Sequence, residues 1–107
     1  IFINILDNAL YWLEDEGVKE KKIRITINSD ENYMVFSDNG PGIYPEEKEK
    51  IFEAFFTGKG IDGRGLGLYI CRQFLDRYDY TINVVDDFKY SLGGADFQID
   101  FNKKDEW

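Results

Sequence analysis

Two asparagines near the start of the chain are the first residues that could do chemistry. Asn4 and Asn8 lie four positions apart, so in a helix they fall one above the other on the same face. A neutral amide oxygen is a hard ligand that suits Mg²⁺, an ion that keeps several waters and takes its other ligands from phosphates. The alternative is that both amides only hydrogen-bond neighbouring backbone. The spacing therefore indicates either part of a magnesium site or two ordinary helix residues.

A carboxylate beside a glycine-rich turn is the second candidate. Asp38 directly precedes the segment Asn39-Gly40-Pro41-Gly42. Glycines without Cβ atoms let the backbone approach a flat ligand closely, and a carboxylate that accepts a hydrogen bond from an exocyclic amine would select adenine. An ordinary Asx turn explains the same residues equally well.

The third candidate is the segment Gly63-Arg64-Gly65-Leu66-Gly67-Leu68, in which alternate glycines run into a predicted helix. Unpaired N–H groups at a helix start, together with the helix dipole, favour anions such as phosphate. The spacing is neither the Rossmann pattern nor a Walker A loop. Lys59 and Arg64 are the nearby cations that would reach a terminal phosphate. The alternatives are a flexible linker and solvated surface charges.

The candidate residues fall in four ordered segments: Asn4-Ile5-Leu6-Asp7-Asn8-Ala9, Asp38-Asn39-Gly40-Pro41-Gly42-Ile43, Phe52-Glu53-Ala54-Phe55-Phe56-Thr57 and Gly63-Arg64-Gly65-Leu66-Gly67-Leu68. In this order they resemble the N, G1, F and G2 boxes of the GHKL ATP-binding superfamily. Its members, with the Bergerat fold, include gyrase B, chaperone, mismatch-repair and histidine-kinase ATPases. The sequence is most similar to the catalytic and ATP-binding domain of sensor histidine kinases, because Asn4 stands where the hydrolysing branches carry a water-activating Glu. The segment from Phe55 to Lys59 also resembles the F box of nitrogen-regulatory kinases.

This resemblance implies a role for each candidate residue. Asn8 would ligate Mg²⁺, Asp38 would bind the adenine amine, and Asn4 and Lys59 would be the catalytic residues. The residues that would bind ATP are Asn8, Asp38, Gly40, Gly42, Ile43, Lys59, Gly63, Arg64, Gly65, Leu66, Gly67 and Leu68. Two departures from the family pattern, Tyr11 in place of a basic residue and Ala95 in place of a Thr, each remove an expected nucleotide contact.

The resemblance also implies an activity and partners. The chain would bind Mg·ATP and donate the γ-phosphate to a histidine on an upstream dimerisation and phosphoacceptor domain, and a response regulator would receive the phosphate next. The parent protein would be a homodimer. The alternatives are a conformational ATPase of the gyrase, mismatch-repair or chaperone type, and a degenerate nucleotide-binding module.

Hydrophobic periodicity predicts the elements that must position these residues. Residues 1–16 form a helix that is buried nearly all round apart from one polar stripe, and a second amphipathic helix covers residues 64–78. Alternation predicts an antiparallel hairpin and two later strands, and Pro45 begins a short helix through residue 52. The predicted strands are residues 23–28, 33–37, 81–85 and 95–101. The fold class is an α/β (α+β) two-layer sandwich, with a Bergerat-type mixed, mainly antiparallel sheet and the helices on one face.

Composition limits the class of protein. The 107 residues suit a single domain, and 13 basic against 21 acidic residues give a net charge of −8. Nucleic acid and direct membrane contact are therefore not expected. A lone Cys71 and the lack of a long apolar run favour a cytoplasmic location, with a parent that a membrane could anchor. The sequence has no histidine, so a phosphoacceptor must lie elsewhere. The opening Ile1-Phe2-Ile3, already helical in pattern and without Met, predicts a piece of a longer protein.

Overall fold

The computed structural model describes residues 2–54, 56 and 66–102, and within them the chain forms two α-helices and a four-stranded sheet. The predicted residues Lys59, Gly63, Arg64 and Gly65 lie outside the described residues. The elements in chain order are α1 (Phe2–Asp15), β1 (Ile23–Asn28), β2 (Tyr33–Asp38), 3₁₀ turns at Pro45–Glu47 and Lys50–Phe52, α2 (Gly67–Asp76), β3 (Thr81–Val84) and β4 (Asp96–Asp100).

The sheet has the strand order β1-β2-β4-β3, with every neighbouring pair antiparallel. One cross-strand row runs from Ile25 through Phe36 and Phe97 to Val84. Because paired residues project on the same side of a sheet, this row gives the sheet one apolar face.

Both helices pack on that apolar face. Ile5 from α1 and Cys71 and Leu75 from α2 form a buried cluster with Phe36 and Phe97. Burial of a large apolar side chain stabilises the folded state by about 1.5–3 kcal/mol. The predicted two-layer architecture, with a mainly antiparallel sheet and helices on one face, is confirmed.

The prediction that α1 is buried nearly all round is wrong. The side chains of Ile3 and Leu10 are 80% and 44% exposed, and they share one face of the helix with the exposed Asp7 and Glu14. The helix packs against α2 and β2, and nothing in the described part of the chain covers its opposite side. The distribution of apolar residues around α1 therefore did not predict which of its faces are buried.

The structure corrects two further boundaries. The predicted short helix is a pair of 3₁₀ turns, closed by the Lys48 N–H to Pro45 and the Glu53 N–H to Lys50. The second helix spans Gly67–Asp76, so it ends before the predicted residue 78, and its predicted start at residue 64 lies outside the described residues. Its end is set by Asp79, which has a φ of 61° and precedes the N–H of Tyr80 that donates back to Leu75.

Neither of the two described helices combines the length and the apolar character that a membrane span requires.

Candidate functional site

Asp38 occupies the end of β2, and four hydrogen bonds fix its position. Its backbone N–H donates to the Ala95 carbonyl, and its own carbonyl accepts the Gly94 N–H, both at 3.0 Å. Its side-chain Oδ1 accepts the N–H of Gly40 at 2.9 Å and of Ala95 at 3.2 Å. No described residue donates to Oδ2. The arrangement therefore orients a carboxylate with one oxygen satisfied and the other available for a ligand donor.

The backbone beside this carboxylate is bare because a side chain would not fit. A Cβ atom built on Gly94 would lie 2.5 Å from the carbonyl oxygen and from Oδ1 of Asp38. Gly42 has a φ of 79° and packs near the Gly94 carbonyl. Glycine at these two positions thus allows a close approach between the turn after β2 and the turn before β4.

Burial changes the chemistry of Asp38. The residue is 5% exposed, and this desolvation raises the pKa of its carboxyl group above the ordinary value of 3.8. The N–H groups of Gly40 and Ala95 oppose the rise, and the charge of Asp96 adds to it. Burial outweighs the hydrogen bonds, so the group holds its proton more tightly than an exposed aspartate.

Asn39 has a different task from its neighbour. Its Nδ2 donates to the Glu20 carbonyl at 2.7 Å, and its Oδ1 accepts the Lys22 N–H at 2.9 Å. Both ends of the amide are therefore used to hold the connector that leads into β1. The Asx-turn alternative is present in the bond from Gly40 to Asp38, but the bond from Ala95 and the burial go beyond what that turn requires.

Helix α1 links the two ends of the candidate site. Near its start, the position of a Cβ on Gly67 would lie 3.9 Å from the Asn4 Cβ, and near its end Leu13 Cδ2 lies 3.7 Å from the Cβ position of Gly40. Asn8 is half-buried between these contacts. The described residues include no convergent group of three or more acidic, histidine or cysteine side chains. Mg²⁺ completed by water and phosphate oxygens does not need one, so the amide of Asn8 fits as its protein ligand.

Of the backbone that is predicted to bind phosphate, the structure describes the part at the start of α2, from Leu66 to Leu68. Leu66 precedes the helix, and no side chain caps it, which leaves N–H groups of the first turn for an anion. Gly67 is exposed, whereas the side chains of Leu68 and Ile43 pack against the core. These two predicted site residues would therefore contact a ligand mainly through their backbone.

Asn4, the predicted catalytic residue, faces α2. Its side chain hydrogen-bonds the thiol of Cys71, which is fully buried, and burial raises the pKa of this thiol. An amide serves this bond without adding a charge to the core.

An apolar groove of about 540 Å³ lies on another part of the surface. Asn4 is one of its lining residues, and the others are Ile70, Phe74, Leu75, Tyr78, Tyr80 and Phe101. Such a lining offers few partners to a triphosphate, so the groove does not replace the turn at Asp38 as the candidate site.

Sequence reasoning missed the residues that support the site from a distance. Gly94 was not among the predicted site residues, and the sequence did not predict that the Ala95 N–H would hold Asp38. The paired glycines just before a strand were the available signal, since they mark a place where backbone segments approach closely.

Comparison with known proteins places this geometry in context. Residues 1–105 match the family described as histidine kinase-, DNA gyrase B-, and HSP90-like ATPase. The chain is 32% identical over 87 residues to the signal transduction histidine-protein kinase/phosphatase MprB of Mycobacterium ulcerans. That match covers 78% of this chain and 17% of the relative, so the chain spans about a sixth of that protein.

Solved structures give the same result. The catalytic domain of histidine kinase ThkA is 34% identical, with a TM-score of 0.66, and the match covers 91% of this chain and 60% of that one. Full-length ShkA in complex with AMPPNP is 25% identical with a TM-score of 0.56, over 90% of this chain and 21% of that chain.

Proposed function

The chain belongs to the family of histidine kinase-, DNA gyrase B- and HSP90-like ATPases, and on that basis we propose that it binds Mg·ATP and donates the γ-phosphate to a histidine of another domain. The single observation that carries the proposal is the carboxylate of Asp38, whose Oδ1 is held by two backbone N–H groups while no described residue donates to Oδ2. The resemblance to ShkA, solved with an ATP analogue, supports a nucleotide as the ligand.

Recognition of the base begins at Asp38. Its Oδ2 accepts the exocyclic amine of adenine, and the glycines of the turn after β2, Gly40 and Gly42, let the ring lie against the backbone. Burial strengthens this hydrogen bond because water does not compete for it. Guanine, which presents a carbonyl at the corresponding position, would face the carboxylate with an acceptor and is disfavoured.

The phosphates extend from this pocket along α1 toward the start of α2. The uncapped N–H groups beginning at Gly67 attract the anion, and by the family resemblance Lys59 and Arg64, which lie outside the described residues, would add positive charge. Asn8 would hold Mg²⁺, which would neutralise phosphate charge when bound. Phosphoryl transfer asks the protein mainly for positioning and charge stabilisation, so a domain without a nucleophile of its own is sufficient.

The acceptor lies outside the chain because its sequence has no histidine. We infer that this single domain is part of a longer, homodimeric sensor kinase that acts in the cytoplasm. An upstream dimerisation domain would carry the acceptor histidine, and a response regulator would take the phosphate from it. The coverage of only 17% of MprB is consistent with further domains in the parent protein.

The test uses the longer protein that contains this chain. Incubation with γ-labelled ATP should yield a phosphoprotein that is labile to acid and stable to base, as expected for phosphohistidine. The Asp38→Ala variant should lose the label, and Arg24→Met, which changes a side chain that bonds the Tyr90 carbonyl and no proposed site residue, should retain it. A parent protein that binds ATP but never becomes labelled would contradict phosphotransfer without contradicting nucleotide binding.

A further inference from the structure

Arg72 joins three elements of the fold through one side chain. It lies on α2, five residues after Gly67. Its Nη2 donates to the Ile82 carbonyl at 2.9 Å and to Asn83 Oδ1 at 3.1 Å, both on β3. Its Nη1 donates to Glu49 Oε2 at 3.1 Å, between the two 3₁₀ turns.

The same guanidinium also covers an aromatic ring. Its Cζ lies 3.8 Å from the centroid of the Phe52 ring, and that ring packs edge-to-face on Phe97 with centroids 6.3 Å apart. Phe52 is 3% exposed. The ring is therefore held between the sheet and Arg72, and a stacked cation contributes to the attraction.

These contacts fix the position of α2, whose first residue belongs to the predicted phosphate site, relative to the core residue Phe52. Phe52 ends the second 3₁₀ turn, and Gly67 begins α2. Arg72 reaches Phe52 directly and holds α2 against the edge of β3. A shift of α2 along its axis would break the bonds to Ile82 and Asn83 together.

Only arginine can make this set of contacts. Its planar fork carries five N–H donors, so it can satisfy three acceptors while it stacks on a ring, whereas lysine offers a point charge. The pair with Glu49 contributes least, because the Glu49 side chain is 78% exposed and exposed ion pairs are weak. The bonds to β3 and the contact with Phe52 are the essential ones.

We propose that Arg72 is a positioning residue for nucleotide phosphates. It orients the N-terminus of α2 relative to Phe52 and β3 without contacting the nucleotide, and so it sets the affinity for ATP while leaving the adenine pocket at Asp38 unchanged. This inference rests on the nucleotide-binding function proposed above.

The experiment compares two ligands that share the base but differ in phosphates. Calorimetry with Mg·ATP and with adenosine is carried out on the wild-type chain and on Arg72→Met, Arg72→Lys and Arg24→Met. Arg24 is the matched control, because its guanidinium also donates to a backbone carbonyl, that of Tyr90 at 2.8 Å. Thermal unfolding of each variant reports its stability.

We expect Arg72→Met and Arg72→Lys to weaken ATP binding by roughly tenfold, which is the size of a typical coupling between two sites. The same variants should change adenosine affinity by less than about twofold. Arg24→Met should change neither affinity. If Arg72→Met fails to fold, Arg72→Lys carries the comparison, since it keeps the charge and most of the stem.

Three results would overturn the proposal. Parallel losses of ATP and adenosine affinity would mean a general structural role, and full ATP affinity in Arg72→Lys would mean that charge alone acts. Unchanged affinities in both Arg72 variants would remove the role altogether. A wild-type chain that binds neither ligand would instead contradict the proposed function, so the two failures are distinguishable.

Discussion

Asp38 and Ala95 lie 57 residues apart in the chain, and the N–H of Ala95 donates to Asp38 Oδ1 at 3.2 Å. The Asp38 carboxylate, which is predicted to bind adenine, is therefore oriented in two ways. Its own turn holds it, and so does the pairing of β2 with the segment that enters β4. This bond uses the backbone of Ala95, so the replacement of a Thr side chain by Ala leaves it intact. Base recognition should accordingly depend on closure of the sheet at this point.

The first prediction concerns the donor and acceptor pattern at the adenine pocket. Asp38→Asn keeps the shape of the side chain but removes its charge. In one of the two orientations of the new amide, its NH₂ group faces the adenine amine, so that two donors meet. An unpaired buried donor costs about 1–3 kcal/mol, so adenosine affinity should fall by roughly ten- to a hundredfold on calorimetry. The matched control is Asp96→Asn, which changes another buried carboxylate. Equal adenosine affinity in wild type and Asp38→Asn would contradict the assignment.

A second prediction follows from the raised pKa of Asp38. The carboxylate accepts the adenine amine only when ionised, and burial raises its pKa above 3.8. Adenosine, which has no phosphate to titrate, should therefore bind more weakly as the pH falls toward that raised pKa. Protonation of the adenine ring at low pH affects the wild type and Asp38→Asn alike, so only the additional loss of affinity in the wild type reports Asp38. A wild-type profile that parallels that of Asp38→Asn down to pH 3.8, where more than half of Asp38 would be protonated, would show that the group does not bind adenine.

Stability should change with pH in the opposite direction. The folded state holds the Asp38 proton more tightly than the unfolded state, so folding is favoured when this group is protonated. The contribution is fully present below 3.8 and is lost as pH rises through the raised pKa. The free energy of unfolding of the wild type, measured relative to Asp38→Asn, should therefore increase on acidification across this window.

A third prediction separates packing from ligand binding at the start of α2. A Cβ at Gly67 would meet only the Asn4 Cβ at 3.9 Å, an ordinary contact. Gly67→Ala should therefore leave the free energy of unfolding unchanged or raise it by up to about 1 kcal/mol, because alanine is the better helix former. ATP affinity should fall because the methyl group occupies space beside the phosphates. Gly94→Ala, where the Cβ would lie 2.5 Å from backbone oxygen, should instead lower stability. Undiminished ATP affinity in Gly67→Ala would place the phosphates elsewhere.

The end of α2 offers a test of stability alone. Asp79 has a φ of 61°, a left-handed conformation that costs a residue with a Cβ roughly 1–2 kcal/mol and is usually filled by glycine at a helix C-terminus. Asp79→Gly should raise the free energy of unfolding by roughly 0.5–1 kcal/mol after the extra freedom of glycine in the unfolded chain is counted. Asp79→Ala, which keeps the strain and loses the polar side chain, is the control. Urea denaturation measures both, and a destabilised Asp79→Gly would refute the strain argument.

The sequence predicted what local patterns determine. The alternation of Ile23, Ile25 and Ile27 with polar residues predicted β1 at the bounds that the structure gives. Alternation has this meaning because successive side chains of a strand point to opposite faces of the sheet. Contacts between distant segments were beyond that reasoning. The bond from Ala95 to Asp38 depends on the sheet order, and the four contacts of Arg72 depend on three elements meeting. The exposure of Ile3 likewise depends on which surfaces find a partner, and no periodicity contains that information.

The last prediction distinguishes phosphotransfer from hydrolysis through Asn4. Its amide bonds the Cys71 thiol and provides no carboxylate to deprotonate water, so the wild-type chain should release phosphate from ATP slowly. Asn4→Glu places a carboxylate one helical turn from Asn8, the proposed Mg²⁺ ligand. General-base assistance is worth roughly 10²–10⁴-fold when the geometry is right, so phosphate release should rise by a measurable part of that range. Asn4→Gln is the matched control, because glutamine has the length of glutamate without its charge. This variant should release phosphate as slowly as the wild type. Phosphate release by each chain is measured alongside labelling of the parent protein. Rapid hydrolysis by the wild type without any labelled protein would favour a conformational ATPase, because ATP would then be consumed before an acceptor could use it.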